Sequence, residues 1–211
     1  MTKRENHKYV AVAGNIGAGK SSLTALLGKN FGWEAFYESV DDNPYLSDFY
    51  DDMRRWSFNL QIYFLSSRFQ HQKEMLKTGK SLVQDRTIYE DVEIFAKNLH
   101  QMGLMSNRDY KNYCSLFHEM AGYLRPPDLL IYLRAEVPTL VRQIQQRGRD
   151  YENTIRIEYL ERLNSLYEDW ISRYEHEKLI IDTDNLDFVN NQEDLGKVIE
   201  LIEQRLYGLF N

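Results

Sequence analysis

The chain has one cysteine, Cys114, which excludes an intrachain disulfide and leaves no sign of a cross-linked secreted framework. Proline is scarce, at four residues, and neither a Pro/Gly-rich linker nor an internal repeat divides the 211 residues. They are therefore read as one domain, 1–211. A basic excess is also missing: 26 Lys and Arg stand against 32 Asp and Glu, a net charge of −6. Proteins that track nucleic-acid backbones usually carry the opposite balance, so a polymer partner is not expected. No apolar run approaches the ~18 residues that a membrane span needs. The polar opening MTKRENHK lacks a signal-peptide profile, so a cytoplasmic protein with no membrane partner is expected. Cys114 and the five histidines show no spacing that suggests a metal site or a nucleophile.

What the chain does have is a regular alternation of apolar runs and helical patterns. Tyr9 to Ala13 (YVAVA) reads as a buried parallel strand. Further strands are expected at Trp33–Tyr37, Ser81–Gln84, Leu129–Leu133 and Leu179–Asp182. Helical patterns cover Lys20–Lys29, Trp56–Leu76, Tyr89–Leu99, Arg108–Tyr123, Val137–Gln146, Ile157–Tyr174 and Gln192–Leu209. The Pro126–Pro127 pair is expected to break the fourth of these. Strands alternating with long helices imply an α/β fold: a parallel sheet of about five strands, covered on both faces. Ligands of such sheets gather at the carboxyl ends of the strands.

The strongest local signal follows the first strand. Gly14-Asn15-Ile16-Gly17-Ala18-Gly19-Lys20-Ser21 matches GxxxxGK[ST] without a mismatch, between a strand and a helix. Backbone N–H groups of such a loop curl around phosphates at a helix N-terminus, where the partial positive charge favours anions. Lys20 would reach the β- and γ-phosphates, the Ser21 hydroxyl would help hold Mg²⁺, and Ser22 completes the triphosphate-binding segment. The pattern implies a P-loop, three-layer fold that binds a nucleoside triphosphate, and leaves the acceptor open. No NKxD-type guanine signature is present, and Asp85 follows a strand, as an acid on the metal side should.

Other motifs, in order along the chain, carry a resemblance. Tyr37-Glu38-Ser39-Val40, the stretch from Tyr50 to Arg68, Asp85-Arg86-Thr87 with Asp91 six residues after Asp85, and Gln146-Arg147-Gly148-Arg149-Asp150-Tyr151-Glu152 together resemble the deoxyribonucleoside kinases over essentially the whole chain. The resemblance implies that Glu38, at the end of a strand beside the P-loop strand, is the general base for the 5′-hydroxyl. It implies that Gln61 hydrogen-bonds the base edge, with Trp56 and Phe64 nearby and Phe95 stacked on the base. Arg68 and Asp91 would pair and read the base, while Tyr50 and Glu152 would bind the sugar 3′-hydroxyl. Arg86 would stabilise the transferring group, and Asp85 would face Mg²⁺ through water. Arg147 and Arg149 would clamp the ATP phosphates from a short lid at about 147–153. Ser39 replaces the family's proline and Tyr151 the first of its two lid acids. Gln143 replaces an arginine that some relatives stack on adenine, which leaves the adenine contacts open.

The reaction so implied is transfer of the γ-phosphate of ATP to the 5′-hydroxyl of a deoxyribonucleoside, with Mg²⁺. Deoxyadenosine is the expected acceptor, and deoxycytidine and deoxyguanosine remain open. The resemblance also implies a homodimer through the long helices. Two alternatives stand beside this reading. A nucleoside monophosphate kinase of the thymidylate kinase type would share the P-loop and lid, but has no use for a base at Glu38. A non-catalytic nucleotide switch would need neither base nor lid arginines.

Overall fold

The computed structural model describes residues 7–37, 43–149 and 155–208. Five parallel strands form its sheet in the order β2-β3-β1-β4-β5. They are β1 (Tyr9–Gly14), β2 (Glu34–Phe36), β3 (Leu82–Asp85), β4 (Leu129–Arg134) and β5 (Lys178–Asp182). Side chains alternate along a strand, so a strand buried on both faces must be apolar throughout. On β1, Val10 and Val12 join Leu129, Ile131 and Leu133 of β4 in one core. Tyr9, Ala11 and Ala13 join Leu130 and Tyr132 in another.

Helices cover both faces. Helix α1 (Lys20–Phe31) packs Leu23 and Leu27 into the first core, together with Leu140 and Ile144 of α7 (Val137–Arg147) and Val198 and Ile202 of α9 (Gln192–Tyr207). The second core is closed by α8 (Ile157–Ser172), through Leu163, Leu166, Tyr167 and Trp170. A third apolar cluster builds an outer helical layer from α2 (Leu46–Asp51), α3 (Met53–Thr78), α5 (Lys97–Gln101) and α6 (Asn107–Ala121). Among the described residues no helix is long and apolar enough to cross a membrane.

The expected sheet is present, with three differences. Strand β2 pairs with β3, not with β1: Ala35 lies opposite Val83, and β3 separates β2 from the P-loop strand. The helix expected to break at Pro126–Pro127 already stops at Ala121, where Gly122 follows, so those prolines act too late to end it. The third difference falls in the helix expected at Tyr89–Leu99. It is a short α4 (Ile88–Glu90), a π-helical segment (Asp91–Ala96) and then α5. In the π segment hydrogen bonds run i→i+5, so the turn is wider than the apolar spacing implied.

Leu163 is fully buried under the sheet. Replacing it by Ala removes packed methyl groups and leaves a cavity, which typically costs about 2–5 kcal/mol. Leu163→Ala is therefore expected to lower the urea midpoint by that stability without changing the slope of the transition.

Candidate active site

Parallel register brings the chemistry to one edge. Val12 pairs with Asp85 and Gly14 with Leu133, so β1 and β3 finish side by side. The backbone N–H of Arg86 extends this pairing by donating to the Val12 carbonyl at 2.9 Å. From that edge the P-loop turns directly into α1. Gly17 has φ +85, and a Cβ there would meet the Leu140 carbonyl oxygen at 2.8 Å and Ile144 Cγ1 at 2.9 Å. Only glycine lets the loop press this closely on α7. Asn15 locks the loop from the other side: its Nδ2 donates to the Leu160 carbonyl at 3.0 Å and to Asn164 Oδ1 at 2.6 Å, while its Oδ1 accepts from the Ile16 N–H at 2.7 Å.

A cavity of about 260 Å³ opens beside this loop. Its lining includes Lys20, Ser21, Asp85, Arg86, Arg147 and Arg149 at one end, Tyr50, Gln61, Phe64 and Arg68 at the other, and Phe95 against Arg86. The sequence motifs separated by more than a hundred residues thus meet in one space. Lys20 is buried and donates from Nζ to the Asn15 carbonyl at 2.8 Å. Ser21 Oγ donates to Asp85 Oδ2 at 2.5 Å. Asp85 Oδ1 is buried and has no protein partner among the described residues. A buried carboxylate oxygen in that state is costly unless a ligand meets it.

At the far end, the Arg68 Nε donates to Asp91 Oδ2 at 2.6 Å, and both side chains are almost wholly buried. The Arg68 guanidinium also lies 5.0 Å from the centre of the Phe64 ring. Gln61 is 3% exposed, and its Oε1 has no partner among the described residues although it lines the cavity. That atom is the acceptor half of an amide able to read a donor–acceptor edge. Trp56 lies outside the lining and packs on Tyr45, with ring centres 5.8 Å apart. Glu38 and Glu152 fall outside the described residues, as do residues 150–153 of the expected lid.

Other groups were not foreseen. Leu46 and Phe49 reach the cavity from α2, a helix too short to show a period in sequence, and Tyr37 and Tyr159 line it as well. Burial pushes the Tyr159 phenol up to about 12, against the charge of Arg86, so it remains a hydroxyl. Glu90 is fully buried behind Arg86. A single-residue reading could not separate this glutamate from the solvated ones around it, although its place three residues after Thr87 fits a capping box.

A second, wider depression meets the P-loop from its outer side and is lined by Gln143, Gln146, Arg147 and the loop from Thr183 to Asn190. Lys20 and Ser21 line both the cavity and this depression, so two openings meet at the P-loop lysine. Asp91→Ala removes the counter-charge beside the Arg68 guanidinium, and breaking a buried pair typically costs 3–5 kcal/mol. The single variant is expected to melt markedly lower, and Asp91→Ala with Arg68→Met is expected to recover most of the loss.

Comparison with known proteins places this geometry among relatives. The sequence pattern of the family described as Deoxynucleoside kinase matches residues 10–206. The chain is 42% identical to a deoxyadenosine/deoxycytidine kinase of Bacillus subtilis (strain 168) over 206 residues, covering 94% of this chain and 95% of the relative. It is 39% identical to a deoxyguanosine kinase of Lactobacillus acidophilus, over 93% of this chain and 90% of that one. Among solved structures, a deoxyadenosine kinase from M. mycoides with bound dATP superposes with a TM-score of 0.83 at 30% identity, covering 93% of this chain and all (100%) of that one.

Proposed function

The chain belongs to the deoxynucleoside kinase family and phosphorylates deoxynucleosides with ATP, and from that premise we propose that deoxyadenosine is its preferred acceptor, with deoxycytidine also accepted. The observation that carries this choice is Arg68, which lines the cavity and is held by the buried Asp91 outside that lining, together with a Gln61 oxygen that lacks a partner among the described residues. Adenine and cytosine both present an amino donor next to a ring-nitrogen acceptor, which the amide of Gln61 can match with two hydrogen bonds. A carboxylate at Asp91 favours that amino group and disfavours the carbonyl that thymine carries there. Phe64 and Phe95 supply aromatic surface for the base, and Tyr50, which lines the same cavity, binds the sugar in this reading. The name of the B. subtilis relative joins the same two bases.

At the reacting end, the N–H groups from Gly17 to Ser22, at the start of α1, receive the β- and γ-phosphates, with Gly14, Asn15, Ile16, Ala18 and Gly19 shaping the loop. Lys20, Arg86, Arg147 and Arg149 offset the charge of the transferring group from several directions. Asp85 and Ser21 fit Mg²⁺: a hard cation that takes oxygen ligands and keeps waters would meet the partnerless Asp85 Oδ1. When bound, that ion would neutralise phosphate charge. Glu38 takes the proton of the 5′-hydroxyl, supported by Tyr37, the described residue before it, which lines the cavity. Glu152 joins Tyr50 on the 3′-hydroxyl, and residues 147–153 act as the lid. A homodimer through the long helices belongs to the same reading. Its support is the apolar surface left open on and just after α6, where Leu116 is 42% and Tyr123 79% exposed.

The test is kcat/KM for the four deoxynucleosides with MgATP. Deoxyadenosine is expected to rank first and thymidine last, whereas a thymidine preference would overturn the base assignment. Asp91→Ala is expected to narrow that ranking, chiefly by lowering the amino-bearing bases. Glu38→Gln keeps the shape of the side chain and removes the proton acceptor. It is expected to lower kcat by ~10²–10⁴-fold with nucleoside KM little changed. A fall of less than tenfold with an unaltered pH profile would remove Glu38 from the role of base.

A further inference from the structure

Arg86 is the one non-glycine residue with positive φ among those described, at +66. That left-handed conformation costs an ordinary side chain of order 1–3 kcal/mol and persists only where the surroundings enforce it. Here the enforcement comes from Glu90, one helical turn later. Its Oε2 accepts from the Thr87 backbone N–H at 2.7 Å and from Thr87 Oγ1 at 3.2 Å, which completes the cap of α4. A capping box asks for nothing more. Its Oε1 points away from the cap and accepts from Arg86 Nη1 at 3.2 Å, from the Tyr167 hydroxyl at 2.7 Å and from the Gly14 backbone N–H at 3.3 Å. Tyr167 also accepts from Arg86 Nη1 at 2.7 Å. The other face of the guanidinium lies 4.6 Å from the centre of the Phe95 ring.

We propose that Glu90 is a positioning residue for phosphoryl transfer, whose buried carboxylate fixes the Arg86 guanidinium relative to the first residue of the P-loop. One oxygen builds the turn that carries Arg86, and the other ties the arginine head to Gly14 and to α8. Donor loop and acceptor-side arginine are thereby referenced to a single group. All the members of this cluster are buried: Arg86 is 3% exposed, and Glu90 and Tyr167 are fully enclosed. In such surroundings a misplacement of the arginine is not corrected by solvent, and an error of about 1 Å in such a group can cost ~10²-fold in rate. Burial holds the Tyr167 phenol well above the ordinary tyrosine range, against the pull of Arg86 and with the help of Glu90, so it remains a hydroxyl that can donate to Oε1.

The proposal rests on the assignment of Arg86 to the transferring phosphoryl group, and the experiment separates the two. Glu90→Gln, Arg86→Ala and the double variant are compared by kcat and by KM for ATP and deoxyadenosine, at a temperature where each is fully folded. Leu163→Ala, destabilised by packing alone, serves as the control and is expected to keep its kcat. Arg86→Ala is expected to lose about 10²–10³-fold in kcat, the scale of removing one preorganised donor. Glu90→Gln is expected to lose about 10–100-fold with KM changed less than about threefold, and the double variant to be no slower than Arg86→Ala. Losses that multiply in the double variant, or a Glu90→Gln enzyme within twofold of wild-type kcat, would overturn the proposal while leaving Arg86 in place. An Arg86→Ala enzyme of normal kcat would overturn both. Should Glu90→Gln fail to fold, Glu90→Asp keeps the charge and shortens its reach. A folded Glu90→Asp enzyme with impaired kcat supports the proposal, and one with full kcat overturns it.

Discussion

The parallel pairing of β1 with β3, which sets Val12 opposite Asp85, is the constraint on which the rest of the site depends. It makes the two strands finish together, so the phosphate-binding loop and the Asp85-Arg86-Thr87 turn leave the sheet at one place. A shift of one residue would send Asp85 to the opposite face and point Arg86 away from the loop. The register is held by burial, because Val10, Val12 and Val83 occupy one core and Tyr9, Ala11 and Leu82 the other. The core therefore does more than stabilise the fold. It sets where the Ser21 hydroxyl meets the Asp85 carboxylate, on which the fit to a hydrated cation rests.

Around that edge the protein concentrates charge that it could not bury singly. The chain carries a net charge of −6, yet Lys20, Arg68 and Arg86 are buried near the pocket. Desolvating such groups costs several kcal/mol each unless oppositely charged or polar partners meet them. Arg68 has Asp91, Arg86 has Glu90, and Lys20 has the Asn15 carbonyl. Two buried oxygens lack protein partners among the described residues at the ends of the same cavity, Gln61 Oε1 and Asp85 Oδ1. Protein interiors seldom leave such atoms unmet, and these two belong to residues that line the cavity, where a bound molecule could reach them.

The strands, the P-loop and most helices were legible in the sequence because each depends on local period or on a contiguous motif. The run YVAVA and the segment from Gly14 to Ser21 needed no tertiary knowledge. Gln61, Arg68 and Asp91 were legible only through family resemblance, since nothing in their spacing says that two helical segments will face each other. Three features were not legible. The order of β2 and β3 is set by the crossover connections and not by either strand's residues. The π-helical turn after Glu90 satisfies tertiary contacts of Asp91 and Phe95 that an ideal α-helical spacing does not anticipate. The partner of Trp56, expected near the base, is the ring of Tyr45, which precedes α2.

The stretch from Asp85 to Phe95 is committed twice, and this limits how the pocket can change. Glu90 and Asp91 are neighbours in sequence but face different partners, the first Arg86 and Gly14, the second Arg68. Phe95, a turn later, lies against the Arg86 guanidinium and also lines the acceptor cavity. A substitution at Phe95 therefore touches both the Arg86 guanidinium and the cavity wall at once. On α3, Gln61 and Phe64 line the pocket, and Arg68 lines it while tied to that stretch through Asp91. On the proposed assignment a change in base preference is therefore accommodated at least cost at Gln61 and Phe64, which leaves the buried Arg68–Asp91 pair intact.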